Sequence, residues 1–362
     1  MRLSTKIMAG LGVLTLAATA AGCGKPASSG DSGGSGSSSS KSISACMVLD
    51  TGGVDDHSFN QASWAGLQAA SKANSSIKSS YVSSNSQNDY TPNLTTETNK
   101  GCDTVIAVGG LMSDAVKKVA KANPKQHYAE IDSSSSGSNV YGLQYNTAQG
   151  GFLGGYLAAG MSKTGTVATY GGLNIPPVTI YMDGFWEGVQ YYNKQKNKSV
   201  KVLGWDETKP KAGTFAQSFT DQNKGKAITQ AFEQQGADVV FPVAGGTGLG
   251  SGAAAEASGG KLMLIWVDTD GCESASQYCK YFLSSVTKGL TKSTQEYAEA
   301  AAKGSFPSGN YVGTLKNGGT GLAPYHDWES KIPSDLQSEI KQVASGIEDG
   351  SITITSQSQP TS

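Results

Sequence analysis

Side chains able to hold a small ligand recur at one kind of place in this chain, directly after apolar runs of strand length. The run Ile43–Leu49 ends in Asp50-Thr51-Gly52-Gly53-Val54-Asp55-Asp56-His57-Ser58-Phe59-Asn60. Asp50 offers an acceptor, Phe59 a flat apolar face and Asn60 an amide. The paired glycines permit a tight turn and close backbone approach. Asp56 or Ser58 can equally cap a following helix, and Phe59 can open its core face. The run Tyr128–Ile131 ends in Asp132, and Leu262–Val267 ends in Asp268-Thr269-Asp270. Lys288 follows Tyr281–Val286, Phe215 and Phe219 follow Leu203, and Gly245 lies in Ala244-Gly245-Gly246-Thr247-Gly248 after Val239–Val243. Each residue alone reads as well as a cap or a core position. Together they suit a hydroxylated ligand with a flat ring, because carboxylates accept from sugar hydroxyls and aromatic faces stack on a base.

Catalytic patterns are weaker. Gly246-Thr247-Gly248-Leu249-Gly250 lacks the spacing of a dinucleotide fingerprint, and the chain has no P-loop and no G-x-S-x-G elbow. Ser75-Ser76-Ile77-Lys78, Ser83-Ser84-Asn85 and Lys163-Thr164-Gly165 match the three motifs of penicillin-recognising enzymes in order. The first two are almost adjacent in a Ser-rich stretch that yields such matches by chance. His57 and Ser58 are neighbours and cannot face each other along one helix side. The chain reads as a binding protein rather than an enzyme, with no cofactor and no metal.

Strands and helices alternate around these residues. Helical patterns cover Ser58–Asn74, Leu111–Asn123, Thr147–Ser162, Pro177–Lys194, Gly225–Gln235 and a long stretch ending near Lys303. Further strands are expected at Val105–Val108, Thr166–Tyr170 and Val200–Leu203. This alternation predicts an α/β fold of two doubly wound lobes with parallel sheets. Ligands of such folds bind beyond the carboxyl ends of the strands, where the residues above fall.

The N-terminus reads as an export signal. Arg2 and Lys6 precede an apolar stretch of h-region length that ends in Ala20-Ala21-Gly22-Cys23. Residues 1–22 are expected to be removed and Cys23 to carry a lipid, although alanine stands where leucine is usual. Residues 23–42 are a Gly/Ser-rich tether. Export permits disulfides, and Cys46–Cys102 and Cys272–Cys279 are the expected pairs. Hydrophobic residues make up 37%, charged residues 16%, and the net charge is −1, with no basic tract of the kind nucleic acid requires.

Several stretches in order resemble the basic membrane protein family, bacterial lipoproteins that serve as purine-nucleoside receptors of ABC transporters. The carriers are Asp50–Gly53 with Ser58–Asn60, Gly109–Met112, Gly151–Ala159, Lys163–Gly165, Gly171–Val178, Asp183–Phe185, Phe241–Gly248 and Tyr311–Gly319. The resemblance implies a type I periplasmic-binding fold, two lobes joined by three hinge strands. It implies that Phe59 and Phe219 sandwich the purine and that Asp50 and Asn60 bond the base. Asp132, Asp268 and Lys288 would bond the ribose, with Asp270 as the alternative to Asp268 and the Gly245 backbone closing the pocket. The N-terminal lobe would hold 43–146 plus about 288–310, the C-terminal lobe 147–287 plus about 311–350, and 351–362 would be a polar tail. An ABC permease and ATPase are the implied partners of a monomer anchored on the extracytoplasmic face of the cell membrane. A receptor for a free sugar and a ligand-presenting sensor are the alternatives. Two departures stand out: Gly110 where the family carries bulk, and the Gly271–Lys280 loop with its two cysteines.

Overall fold

The computed structural model describes residues 42–360. Runs rich in β-branched and apolar residues form its central strands, as expected of chain buried on both faces. The first half contains β1 (Ile43–Leu49), α1 (Phe59–Ala73), β2 (Ile77–Ser83), α2 (Tyr90–Asn99), β3 (Thr104–Val108), α3 (Ser113–Ala122), β4 (His127–Ile131) and β5 (Val140–Tyr145). There follow α4 (Thr147–Met161), β6 (Thr166–Gly171), α5 (Pro176–Lys196), β7 (Lys201–Leu203), α6 (Gln222–Gln234), β8 (Val239–Val243), α7 (Leu249–Ala257) and β9 (Met263–Asp268). The chain closes with α8 (Gly271–Ser274), β10 (Phe282–Lys288), α9 (Leu290–Ala302), β11 (Gly309–Gly313), β12 (Thr320–Leu322) and α10 (Ser334–Glu348).

Two six-stranded sheets result, ordered β11-β5-β4-β3-β1-β2 and β12-β10-β9-β8-β6-β7. The first is parallel throughout. In the second only β12 runs antiparallel, against β10. Each sheet is covered on both faces. In the first, Met47, Leu49, Ile106 and Val108 meet Leu67, Leu290 and Tyr297 on one side. Val48, Val105 and Ala107 meet Leu94, Val116 and Val119 on the other.

Helix α4 is apolar all round and packs against α5 along small residues. A Cβ on Gly155 would overlap the Phe185 carbonyl, and one on Gly184 would overlap the Ala148 carbonyl. The two helices therefore touch backbone to backbone. The chain passes between the sheets after β5, after β10 and after β11. These passages are bonded together, Asn146 N–H to Gly313 O at 2.7 Å and Gly289 N–H to Gly319 O at 2.9 Å. Strand β11 belongs to the first sheet, so the last passage follows Gly313 rather than residue 310.

The C-terminal residues up to 360 are docked rather than a trailing tail. Glu187 accepts from the Thr355 and Ser356 N–H groups, Ser356 Oγ donates to Asp183 at 2.5 Å, and Asn146 Nδ2 donates to Gln359 Oε1 at 2.9 Å. Two disulfides join Cys46 to Cys102 and Cys272 to Cys279.

Candidate functional site

The carboxyl ends of β1, β3, β4, β8, β9 and β10 converge on one cavity of about 570 Å³. Asp50, Phe59, Asn60, Asp132, Phe219, Gly245, Asp268 and Lys288 all line it.

One polar cluster sits where β1 turns into α1. Asp56 accepts from the backbone N–H groups of Ser58, Asn60 and Gln61 at 2.8–3.0 Å, so it caps α1. That fixes Asn60, whose Nδ2 donates to Asp50 Oδ1 at 2.8 Å and to Asp56 Oδ2 at 3.2 Å. With its amide nitrogen held between two carboxylates, the orientation of Asn60 is set by its partners. Its Oδ1 is buried and without a partner among the described residues. Burial raises the pKa of Asp50 against the lowering effect of the Asn60 and Gly52 bonds. Burial also pushes Asp56 up to about 6. Gly109 stands against this cluster at φ 117, and a Cβ there would meet Asp50 Oδ2 at 2.6 Å.

The second cluster joins the hinge to both sheets. Lys288, the last residue of β10, pairs with Asp132 at 2.5 Å, with both side chains under one-tenth exposed. Its ammonium also lies 4.9 Å from the Phe59 ring centre. Asp268 accepts from Tyr181 OH at 2.5 Å on one oxygen and from Ser58 Oγ at 2.6 Å on the other. Asp132 and Asp268 adopt left-handed φ values of 68° and 67°, an uncommon conformation that turns each carboxylate off its strand end. Burial pushes Asp132 up to about 6 despite Lys288, with Asp268 adding to the rise. The Tyr181 hydroxyl is driven well above its ordinary range by burial and by Asp268, so it remains a donor.

The aromatic rings belong to different sheets. Phe59 opens α1 and is half-buried. Phe219 is half-buried in the loop before α6, its carbonyl accepting from Thr247 N–H at 3.0 Å and its ring resting on Gly172. Phe215 instead packs edge-on against Trp205 at 5.9 Å and is not part of the lining. Gly245 presents backbone at φ 51 beside Phe219. Gly110 passes so close to Asp132 that a Cβ would lie 2.8 Å from its carbonyl oxygen, so a larger side chain has no room here without a shift.

Asp270 does not reach the cavity. Its carboxylate accepts from Cys272 N–H at 3.0 Å, capping α8, and bonds His326 Nε2 at 2.6 Å. Strand β9 ends at Asp268, and two residues further the chain has already turned into α8. Sequence reasoning missed Tyr181, Pro177 and Val178, which line the cavity from the start of α5. Their i, i+1, i+4 spacing behind a strand end was the available signal. It also missed Ser58 as a partner of Asp268 rather than a cap. Cys23 lies outside the described residues.

Residues 43–357 match the family model described as ABC transporter substrate-binding protein PnrA-like. The chain is 32% identical over 351 residues to the CD4+ T-cell-stimulating antigen of Listeria monocytogenes, covering 92% of this chain and 93% of that one. It is 29% identical to the ABC transporter nucleoside-binding protein BmpA of Lactococcus lactis, covering 95% and 96%. Among solved structures, a solute-binding protein of an ABC transporter system from Aeropyrum pernix aligns with a TM-score of 0.78 at 24% identity, over 87% of this chain and 93% of that one. That likeness establishes the fold, the type I periplasmic-binding architecture. No described helix is long and apolar enough to cross a membrane. A two-sheet body closed over a polar and aromatic cavity, with a family match across nearly all of its described length, identifies the chain as a member of the Bmp family of ABC transporter substrate-binding proteins, not an enzyme.

Proposed function

We propose that this protein captures purine nucleosides in the cavity between its two sheets and delivers them to an ABC permease and ATPase. The observation that carries the reading is the pairing of two kinds of polar cluster with two half-buried aromatic rings. The Asp50–Asn60 cluster suits the edge of a base, offering acceptors to its N–H groups, with the unpartnered Asn60 Oδ1 among them. The Asp132–Lys288 pair and Asp268 suit vicinal hydroxyls, since ionised carboxylates accept two hydrogen bonds each and more. Phe59 and Phe219, one from each lobe, supply faces on which a ring stacks. The name of the Lactococcus relative, a nucleoside-binding protein, agrees with this reading.

Lobe closure is the capture step: a ligand touching both lobes favours the closed arrangement by its extra contacts there. Sequence features support anchoring on the extracytoplasmic face of the cell membrane through a lipid on Cys23, with residues 23–42 as tether. Replacing Cys23 by Ser should release the protein from membranes into the medium or periplasm.

The deciding experiment is a thermal-shift screen with nucleosides, free bases, pentoses, hexoses and amino acids. Concentration-dependent stabilisation by adenosine, guanosine or inosine, but not by ribose or a free base, is expected. Stabilisation by a sugar alone would overturn the nucleoside assignment and make this a sugar receptor on the same fold.

A further inference from the structure

Outside the cavity, a second set of contacts joins the two sheets at the mouth of the cleft, and it centres on His57. This residue precedes α1 and holds a left-handed φ of 56°. Its carbonyl accepts from Trp266 Nε1 at 3.2 Å and from Thr269 Oγ1 at 3.1 Å, both at the end of β9. Its ring Nδ1 bonds the carbonyl of Ser274, the last residue of α8. A carbonyl only accepts, so Nδ1 carries the hydrogen. Thr269 Oγ1 and Ser274 Oγ are bonded at 2.8 Å, which ties two of the three partners of His57 together.

The loop that presents Ser274 is unusually well braced. The Cys272–Cys279 disulfide closes it, with Cα atoms 4.5 Å apart. Asp270 caps α8, Gly271 N–H donates to Ser285 Oγ at 2.9 Å, and Trp328 Nε1 donates to Lys280 O at 3.1 Å. The Ser274 carbonyl is thus a fixed point on one lobe, and His57 reaches it from the other. None of these partners of His57 lines the ligand cavity.

We propose that His57 is a positioning residue for capture, a latch seated on the disulfide-closed Gly271–Lys280 loop that stabilises the closed arrangement whether or not the cavity is filled. Because the latch acts on closure, it sets how long a ligand stays more than how fast it arrives. The proposal rests on lobe closure and not on the identity of the ligand.

The test uses the full chain with spin labels at exposed Lys117 in α3 and Gln234 in α6, attached through noncanonical ketone side chains so that the disulfides stay intact. His57→Gly keeps the left-handed backbone and both bonds to the carbonyl while removing the ring. Without any ligand, the wild type should show a closed population that His57→Gly and the Cys272→Ser/Cys279→Ser pair both deplete, at an unchanged melting temperature for His57→Gly. With adenosine, dissociation should quicken about threefold to tenfold, the size of one net hydrogen bond, at constant association rate. A wild type found only open without ligand, or distance distributions unaltered in both variants, would overturn the latch. A normal shift in distances with no adenosine binding at all would leave the latch standing and remove the nucleoside reading instead.

Discussion

Asn60 shows how tightly one side chain of the cavity wall is held. Its amide nitrogen is spent on Asp50 and Asp56, and its oxygen is buried without a partner among the described residues. A buried acceptor left unsatisfied costs about 1–3 kcal/mol. Stacking is the other large contribution: Phe59→Ala and Phe219→Ala should each weaken nucleoside binding by about 1–3 kcal/mol, read by calorimetry. Unchanged affinity in both variants would exclude the sandwich. Asp268→Ala should lower affinity for adenosine and leave that for adenine nearly unaltered, and equal losses would remove Asp268 from the ribose. Reading strand ends from the sequence was enough to gather eight of these residues at one cavity. It misjudged Asp270, because only the onset of α8 decides which of two nearby carboxylates turns inward. It passed over Tyr181, whose role depends on the angle at which α5 enters.

Among the secondary-structure elements, most apolar strands and several periodic helices were legible, while the internal strand β5, helices α2 and α10 and the sheet edges β2, β11 and β12 were not. Strand β2 is polar, Ser-rich and half-exposed, since an edge strand needs little apolar surface. The sequence showed only a Ser-rich segment there. Strand β12 spans just Thr320–Leu322 and owes its existence to pairing with β10, a partner remote in sequence. The α4–α5 contact makes the sharpest stability prediction. Gly155→Ala would drive a methyl into the Phe185 carbonyl, so a loss of about 3 kcal/mol is expected, seen as a lower denaturant midpoint. The Cys46–Cys102 bridge closes a separation of 56 residues within the first lobe, and the Cys46→Ser/Cys102→Ser variant should lose about 2–4 kcal/mol.

Protonation couples the cavity to the whole body. Burial raises Asp132 and Asp56 to about 6 and Glu130 to about 7. Carboxylates whose folded pKa exceeds the unfolded value favour folding when protonated, and that stabilisation is lost as pH rises through the folded value. The ligand-free protein should therefore grow more stable as pH falls from about 7.5 towards 5. Binding has the opposite sign, because protonated Asp132 accepts less well from hydroxyls. Melting curves across this range, with and without adenosine, should show the free protein rising while the ligand-induced shift shrinks below about pH 6. A ligand shift that holds constant down to pH 5 would take Asp132 out of the binding set.

Both sheets are assembled from discontinuous chain. Strand β11 and helix α9 complete the first sheet from residues that follow most of the second. A chain growing from its N-terminus thus exposes β5 as an unpaired edge, and α1 without the α9 surface it packs on, until residues 290–313 are made. Such edges and bare faces are sites of mispairing. Synthesis is therefore most exposed to aggregation when the second sheet is nearly finished and the first is still waiting for its last strand, and a fragment ending at Lys288 would leave no lobe whole.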